Sequence, residues 1–126
     1  MDTMGKAISI AAITAATAVP MRGGNLKGVY VYKPRCAEIG STTLNKCDGN
    51  LSIRSADVKG DYLFIRMEDK NKAEYKFSAY NGSRQMRLMR GKDGELAISN
   101  VKKYMVVTLA AVKGKEEEDF SMFLTK

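Results

Sequence analysis

The chain has 126 residues, with 21 Lys or Arg against 14 Asp or Glu, which gives a formal net charge of +7 at pH 7. This length suits a single domain with one core, and a hydrophobic content of 44% excludes global disorder. The absence of histidine excludes Ser-His-Asp and Cys-His catalysis, and two cysteines are too few ligands for a structural zinc tetrahedron.

The first predicted element is an apolar segment, residues 1–20, whose central run 7–19 is too short to span a bilayer as a helix. Its alanines favour a helix, whereas its isoleucines and threonines favour a strand, so both conformations stay open. The run also has the form of a secretory signal peptide, with small residues at Ala16 and Ala18 before a cleavage point. If the segment is retained, it must be buried against the domain or against another subunit. We predict no transmembrane span.

Residues 21–126 are predicted to form one β-domain, because turn-forming pairs interrupt short stretches of β-forming sequence. Hairpins are expected where Gly49, Gly82 and Gly94 each follow an Asp or Asn, since such pairs adopt the positive φ angles of tight turns. Strands are predicted near 28–33, 42–47, 50–54, 61–68, 73–80, 84–90, 95–99, 103–112 and 119–125. The predicted fold class is mainly β, as a small antiparallel meander.

Alternation along the predicted strand 61–68 supports this fold class. Leu63, Ile65 and Met67 fall on one face, and Tyr62 and Phe64 fall on the other. Both faces therefore carry apolar bulk, whereas a sheet with one buried face would show cleaner polar alternation. We predict a sheet that is closed into a barrel or strongly wrapped.

Cys36 and Cys47 flank a short stretch that could form a hairpin. In a hairpin they would lie close enough for a disulfide if the compartment is oxidising. A pair of free, buried thiols is the alternative. The sequence predicts their proximity without deciding their redox state.

The run from Glu116 to Asp119 is the most acidic stretch of the chain. It could attract a hard cation, but it lacks the ligand spacing of a calcium loop. Because runs of like charge usually remain in water, we predict a solvated turn between two strands.

The densest basic cluster follows the Asn81-Gly82 turn. Its members, with the nearby basic and aromatic residues that form the candidate nucleic-acid site, are Arg84, Arg87, Arg90, Lys92, Lys72, Lys76, Tyr75 and Tyr80. Such mixtures bind single strands, because bases stack on rings while Lys and Arg contact phosphates. In a regular strand, however, Arg87 would face away from Arg84 and Arg90, so one continuous patch is not assured. The competing interpretation is that the tyrosines are half-buried and the charges protect sheet edges from aggregation.

These observations predict a non-enzymatic binding protein for single-stranded or flexible nucleic acid, with no catalytic residues, no metal and no cofactor. The first alternative is a self-assembling structural subunit, such as a virion or filament component, in which segment 1–20 packs into a neighbour to form a homo-oligomer. The second is a secreted β-barrel that binds a small ligand. The location is cytoplasmic or in a virion if the segment is retained, and secreted if residues 1–18 are removed.

Overall fold

The computed structural model describes residues 21–45, 47–72 and 74–126. The predicted apolar segment 1–20 lies outside the described residues, as do single positions within the predicted strands 42–47 and 73–80. Throughout the described ranges the chain forms strands and turns and no helix, so none of it is a helix that could cross a membrane. The prediction of a mainly β, antiparallel protein is confirmed.

Twelve strands occupy the described part of the chain. They are β1 (Gly24–Leu26), β2 (Val29–Val31), β3 (Arg35–Glu38), β4 (Leu44–Asn45), β5 (Leu51–Lys59), β6 (Tyr62–Asp69), β7 (Lys76–Asn81), β8 (Arg84–Met86), β9 (Leu88–Arg90), β10 (Leu96–Ser99), β11 (Val106–Lys113) and β12 (Glu116–Leu124).

These strands form two antiparallel sheets. The larger, with eight strands, has the order β1-β2-β12-β11-β7-β8, and β3 pairs with the first half of β12 and with β4. The smaller, with four strands, has the order β5-β6-β10-β9. Six pairs of consecutive strands form hairpins: β1–β2, β3–β4, β5–β6, β7–β8, β9–β10 and β11–β12. The pairings of β12 with β2, β11 with β7 and β10 with β6 join distant parts of the chain. The connectivity therefore departs from the predicted meander, because only the two strands of each hairpin are neighbours both in the sequence and in the sheet.

The core lies between the two sheets. Ile53, Leu63 and Ile98 from the smaller sheet and Leu109 and Phe120 from the larger sheet are all fully buried in one cluster. On β12, alternate side chains from position 118 to position 124 point into this core, as the period of two along a strand requires. Two sheets packed face to face each bury one face, which is the arrangement of a β-sandwich.

The predicted closure into a barrel is wrong, because among the described residues no strand of one sheet pairs with a strand of the other, and only an isolated bridge between Met21 and Ile53 links them. The apolar residues on the second face of the strands, which suggested a barrel, are instead exposed on the outside of the sheets. Tyr30, Tyr62 and Val106 belong to outward faces and stay 48%, 36% and 44% exposed, so they do not line a second core.

The turn-forming pairs behave in two ways. Asn81-Gly82 and Asp93-Gly94 connect β7 to β8 and β9 to β10 as predicted hairpins. Gly82 has a φ of 64°, a left-handed conformation that glycine adopts at little cost. Asp48-Gly49, by contrast, connects β4 in the larger sheet to β5 in the smaller one, so the third predicted hairpin is absent.

The acidic run is a strand and not the predicted solvated turn. Glu116 to Asp119 form the first half of β12, paired with β3 on one side and β11 on the other. Glu118 points inward and is 8% exposed, and one of its carboxylate oxygens accepts a hydrogen bond from Arg22 Nη2 at 2.8 Å. Charge alone predicted that these side chains stay in water. The pairing with two neighbouring strands and the ion pair with Arg22 instead allow the Glu118 carboxylate to be buried.

Candidate functional site

The basic cluster at 84–90 is divided between the two sheets. The predicted single strand ends at Met86 in the larger sheet and resumes at Leu88 in the smaller one, so Arg87 stands at the crossing. The Arg87 carbonyl accepts a hydrogen bond from the Ser99 amide at 3.2 Å, which fixes this crossing against β10. Because the strand is interrupted, its alternation is interrupted too, and Arg84 and Arg87 can face the same space.

They line a cleft of about 290 Å³ beside the crossing. A third cation, Lys102, enters from the segment that leads to β11. The remaining lining residues are neutral: Asn81, Gln85, Met86, Ser99, Asn100 and Met105. Since no carboxylate is present among the described residues of this lining, the positive potential is not cancelled locally, and guanidinium and amide donors suit a bound anion.

Tyr104 lies between two residues of this cleft in sequence, Lys102 and Met105, but is not part of its lining. The residue is 63% exposed. Its ring stacks on Phe123 with 6.2 Å between the ring centroids, and Lys103 Nζ lies 5.1 Å from the centre of the Tyr104 ring. Its backbone φ is 68°, a left-handed value that is rare for a bulky residue. The amide donates a 2.6 Å hydrogen bond to the Leu124 carbonyl, which holds the strained backbone in place.

The outward face of the larger sheet continues from Tyr104 as an apolar and aromatic row. Val106 on β11 lies opposite Phe123 on β12, which in turn lies opposite Tyr30 on β2. Asn81, a cleft residue, donates its side-chain amide to the Val106 carbonyl at 2.7 Å. The cleft and the aromatic row are therefore neighbouring parts of one surface.

Arg90 lies apart from this surface. Its guanidinium is 5.4 Å from the centre of the Phe77 ring, in a second cleft of about 330 Å³ that also contains Arg66 and Asp93. Arg66 Nη2 donates to Asp93 at 2.7 Å, and this bond holds the pKa of Asp93 below its ordinary range. The second cleft is thus partly neutralised by its own carboxylates.

The other predicted site residues are dispersed. Tyr75 is 9% exposed in the core, with Lys113 Nζ 5.6 Å from its ring centre, so it offers no open face to a base. Tyr80 is half-buried and lies opposite Gln85, at the margin of the cleft. Three lysines are exposed at separate places, Lys72 after β6, Lys76 at the start of β7 and Lys92 between β9 and β10.

Sequence reasoning missed Lys102 and Tyr104. The stretch Lys102-Lys103-Tyr104 does place cations beside an aromatic ring, which was the available signal. Most of this stretch falls within the predicted strand 103–112, whereas β11 begins at Val106 and residues 100–105 form a loop.

Comparison with known proteins adds no relative: no family model, no curated protein and no solved structure matches this chain.

Proposed function

We propose that this protein is a non-enzymatic binding protein for single-stranded nucleic acid. The observation that carries the proposal is the cleft with three cations and no carboxylate among its described lining residues, beside an exposed aromatic row. Clustered cations bind phosphates, and exposed aromatic rings stack on unpaired bases.

The phosphates are assigned to the cleft. Arg84 and Arg87 each present a planar guanidinium that can donate two hydrogen bonds to one phosphate, and Lys102 adds a mobile point charge. Asn81 and Asn100 supply neutral donors at the rim. Binding at this cleft displaces counterions from the strand, so affinity should fall as salt rises.

The bases are assigned to the outward face of the larger sheet. Tyr104 stacks on Phe123, and Phe123 lies opposite Tyr30 on the neighbouring strand. Stacking on such rings contributes about 1–3 kcal/mol per base and tolerates any sequence, because every base has a π-face. A duplex buries those faces within its own stack, which favours a single strand as the ligand.

The test compares two arginines three positions apart. Fluorescence anisotropy with a labelled single strand of about 12 nucleotides, as DNA and as RNA, measures affinity at several salt concentrations. We expect Arg87→Gln to weaken binding about fivefold, equivalent to about 1 kcal/mol. We also expect its plot of log affinity against log salt to be less steep by about 0.7 for each phosphate that the variant no longer neutralises.

Arg90→Gln is the matched control, since it removes the same charge from the second cleft. It should leave the affinity close to that of the unaltered protein. Equal losses in both variants would assign the effect to net charge alone and overturn the cleft as the site. Salt-independent binding, or no binding of either strand, would overturn nucleic acid as the ligand.

A further inference from the structure

Three metal-ligating side chains from distant parts of the sequence meet beside the larger sheet. They are Cys36 on β3, Cys47 after β4 and Glu118 on β12, and their ligating atoms all lie within 4.8 Å of one another. Cys36 and Glu118 are direct partners on neighbouring strands, so the sheet register itself brings them together. The sequence predicted no metal site because two thiols are too few, and the fold supplies a third ligand.

In the structure the two cysteines form a disulfide, with Cα atoms 5.5 Å apart. The disulfide and Glu118 border a cavity of about 160 Å³, together with Asp48, Tyr75 and Lys113. Arg22 Nη2 bonds one oxygen of the Glu118 carboxylate at 2.8 Å. A carboxylate has two oxygens, so this ion pair still leaves one as a ligand.

We propose that reduction of the disulfide turns this cluster into a site for one Zn²⁺-like cation, bound by the Cys36 and Cys47 thiolates and the Glu118 carboxylate. Zinc bonds of about 2.3 Å to sulfur and 2.0–2.2 Å to oxygen place ligands of one tetrahedron about 3.4–3.8 Å apart. Each sulfur lies within 4.8 Å of a Glu118 oxygen, so that distance must shorten by about 1 Å. The two sulfurs are bonded at about 2.0 Å in a disulfide, so after reduction they must move apart by about 1.8 Å. Water completes the fourth position, as in zinc sites with three protein ligands.

The chemistry needs a two-electron reductant, which is either a dithiol or a phosphine that takes up one water and becomes the phosphine oxide. The dithiol passes two electrons and two protons to the disulfide, the S–S bond breaks, and the reductant becomes a cyclic disulfide. Binding of Zn²⁺ then releases the two thiol protons, because thiolates are the ligands. Two thiolates and one carboxylate around Zn²⁺ carry a net charge of −1, which the guanidinium of Arg22 balances.

The experiment uses the full 126-residue chain in two forms, oxidised and reduced with a water-soluble phosphine, which removes the disulfide without leaving a competing thiol. Zn²⁺ binding is measured by competition with a chromophoric chelator. We expect one equivalent in the reduced form and none in the oxidised form. We expect Glu118→Gln to weaken binding by at least the roughly 10- to 100-fold that loss of an outer-shell partner costs. Glu95→Gln, which removes the same charge from the β9–β10 turn of the smaller sheet, outside this cavity, should leave the affinity unchanged.

Zn²⁺ binding to the oxidised form, no binding to the reduced form, or full affinity in Glu118→Gln would each overturn the site. If Glu118→Gln does not fold, X-ray absorption at the zinc edge of the reduced, unaltered protein decides the question. Two sulfur and two lighter ligands support the proposal, and any other sulfur number rejects it.

Discussion

Tyr104 is 63% exposed although its backbone is held in the left-handed conformation, with φ at 68°. That conformation costs an L-residue roughly 1–2 kcal/mol. Burial of the side chain does not offset this cost, and the residue is not a glycine, which would adopt this φ without the cost. Strain of this kind persists where the surrounding structure fixes a functional side chain, which agrees with the stacking role proposed for the ring.

Replacement of Tyr104 by Gly and by Ala separates strain from function. Both variants lose the ring, so both should bind a single strand about fivefold to 150-fold more weakly, the equivalent of about 1–3 kcal/mol per stacked base. Tyr104→Gly should be more stable than Tyr104→Ala by about 0.5–1 kcal/mol, because glycine adopts the positive φ without the Cβ clash. Urea unfolding and anisotropy measure the two effects. Equal stabilities would argue against strain at this position, and unchanged affinity would argue against stacking.

At the level of single strands, the sequence predicted positions better than partners. Strands were placed near most of the observed ones, because alternation and turn pairs are local signals. The division at Arg87 left no such signal, since neither Gly nor Pro interrupts residues 84–90. Whether Arg84 and Arg87 share a cleft depends on β8 pairing with β7 while β9 pairs with β10, which is decided by non-local contacts.

The acidic first half of β12 should make stability depend on pH. The Asp119 carboxyl is partly buried beside Glu117, and this burial, with Glu117 as a second cause, raises its pKa to about 6 although Arg35 opposes the shift. A pKa above the ordinary 3.8 means that the folded state binds a proton more tightly than the unfolded state. Stability should therefore rise as pH falls from about 7 toward 4.

The expected gain between pH 7 and pH 5 is about 1 kcal/mol, because solvent screens a carboxyl that is only partly buried. Asp119→Asn should reduce this gain and stabilise the protein at neutral pH. The gain should not vanish, since burial also raises the pKa of Glu118. Thermal unfolding of the oxidised, metal-free protein across this range provides the measurement, with Asp61→Asn in the exposed β5–β6 turn as control. A gain of unchanged size in Asp119→Asn would show that the dependence arises elsewhere.

For the whole molecule, composition and alternation predicted a single β-domain but not its two separate sheets. A barrel and a sandwich present the same local pattern, because both bury alternate residues of each strand. The distinction lies in pairings such as Val29 to Val31 with Met122 to Leu124, which join the two ends of the described chain. Strands this far apart in the sequence leave no local pattern that would predict their pairing.

The net charge of +7 and the exposed aromatic row support binding to a single strand, which predicts a different state of the protein in solution from self-assembly. If the row binds bases, the full chain should be a monomer or dimer that gains the mass of one single strand at about 50 mM salt. It should lose that mass at about 200 mM, as counterion release requires. Size-exclusion chromatography with light scattering measures both, and a duplex of equal length is the control that should bind more weakly. A large assembly that does not bind the oligonucleotide would instead favour the self-assembling subunit, in which the apolar segment 1–20 packs into a neighbour.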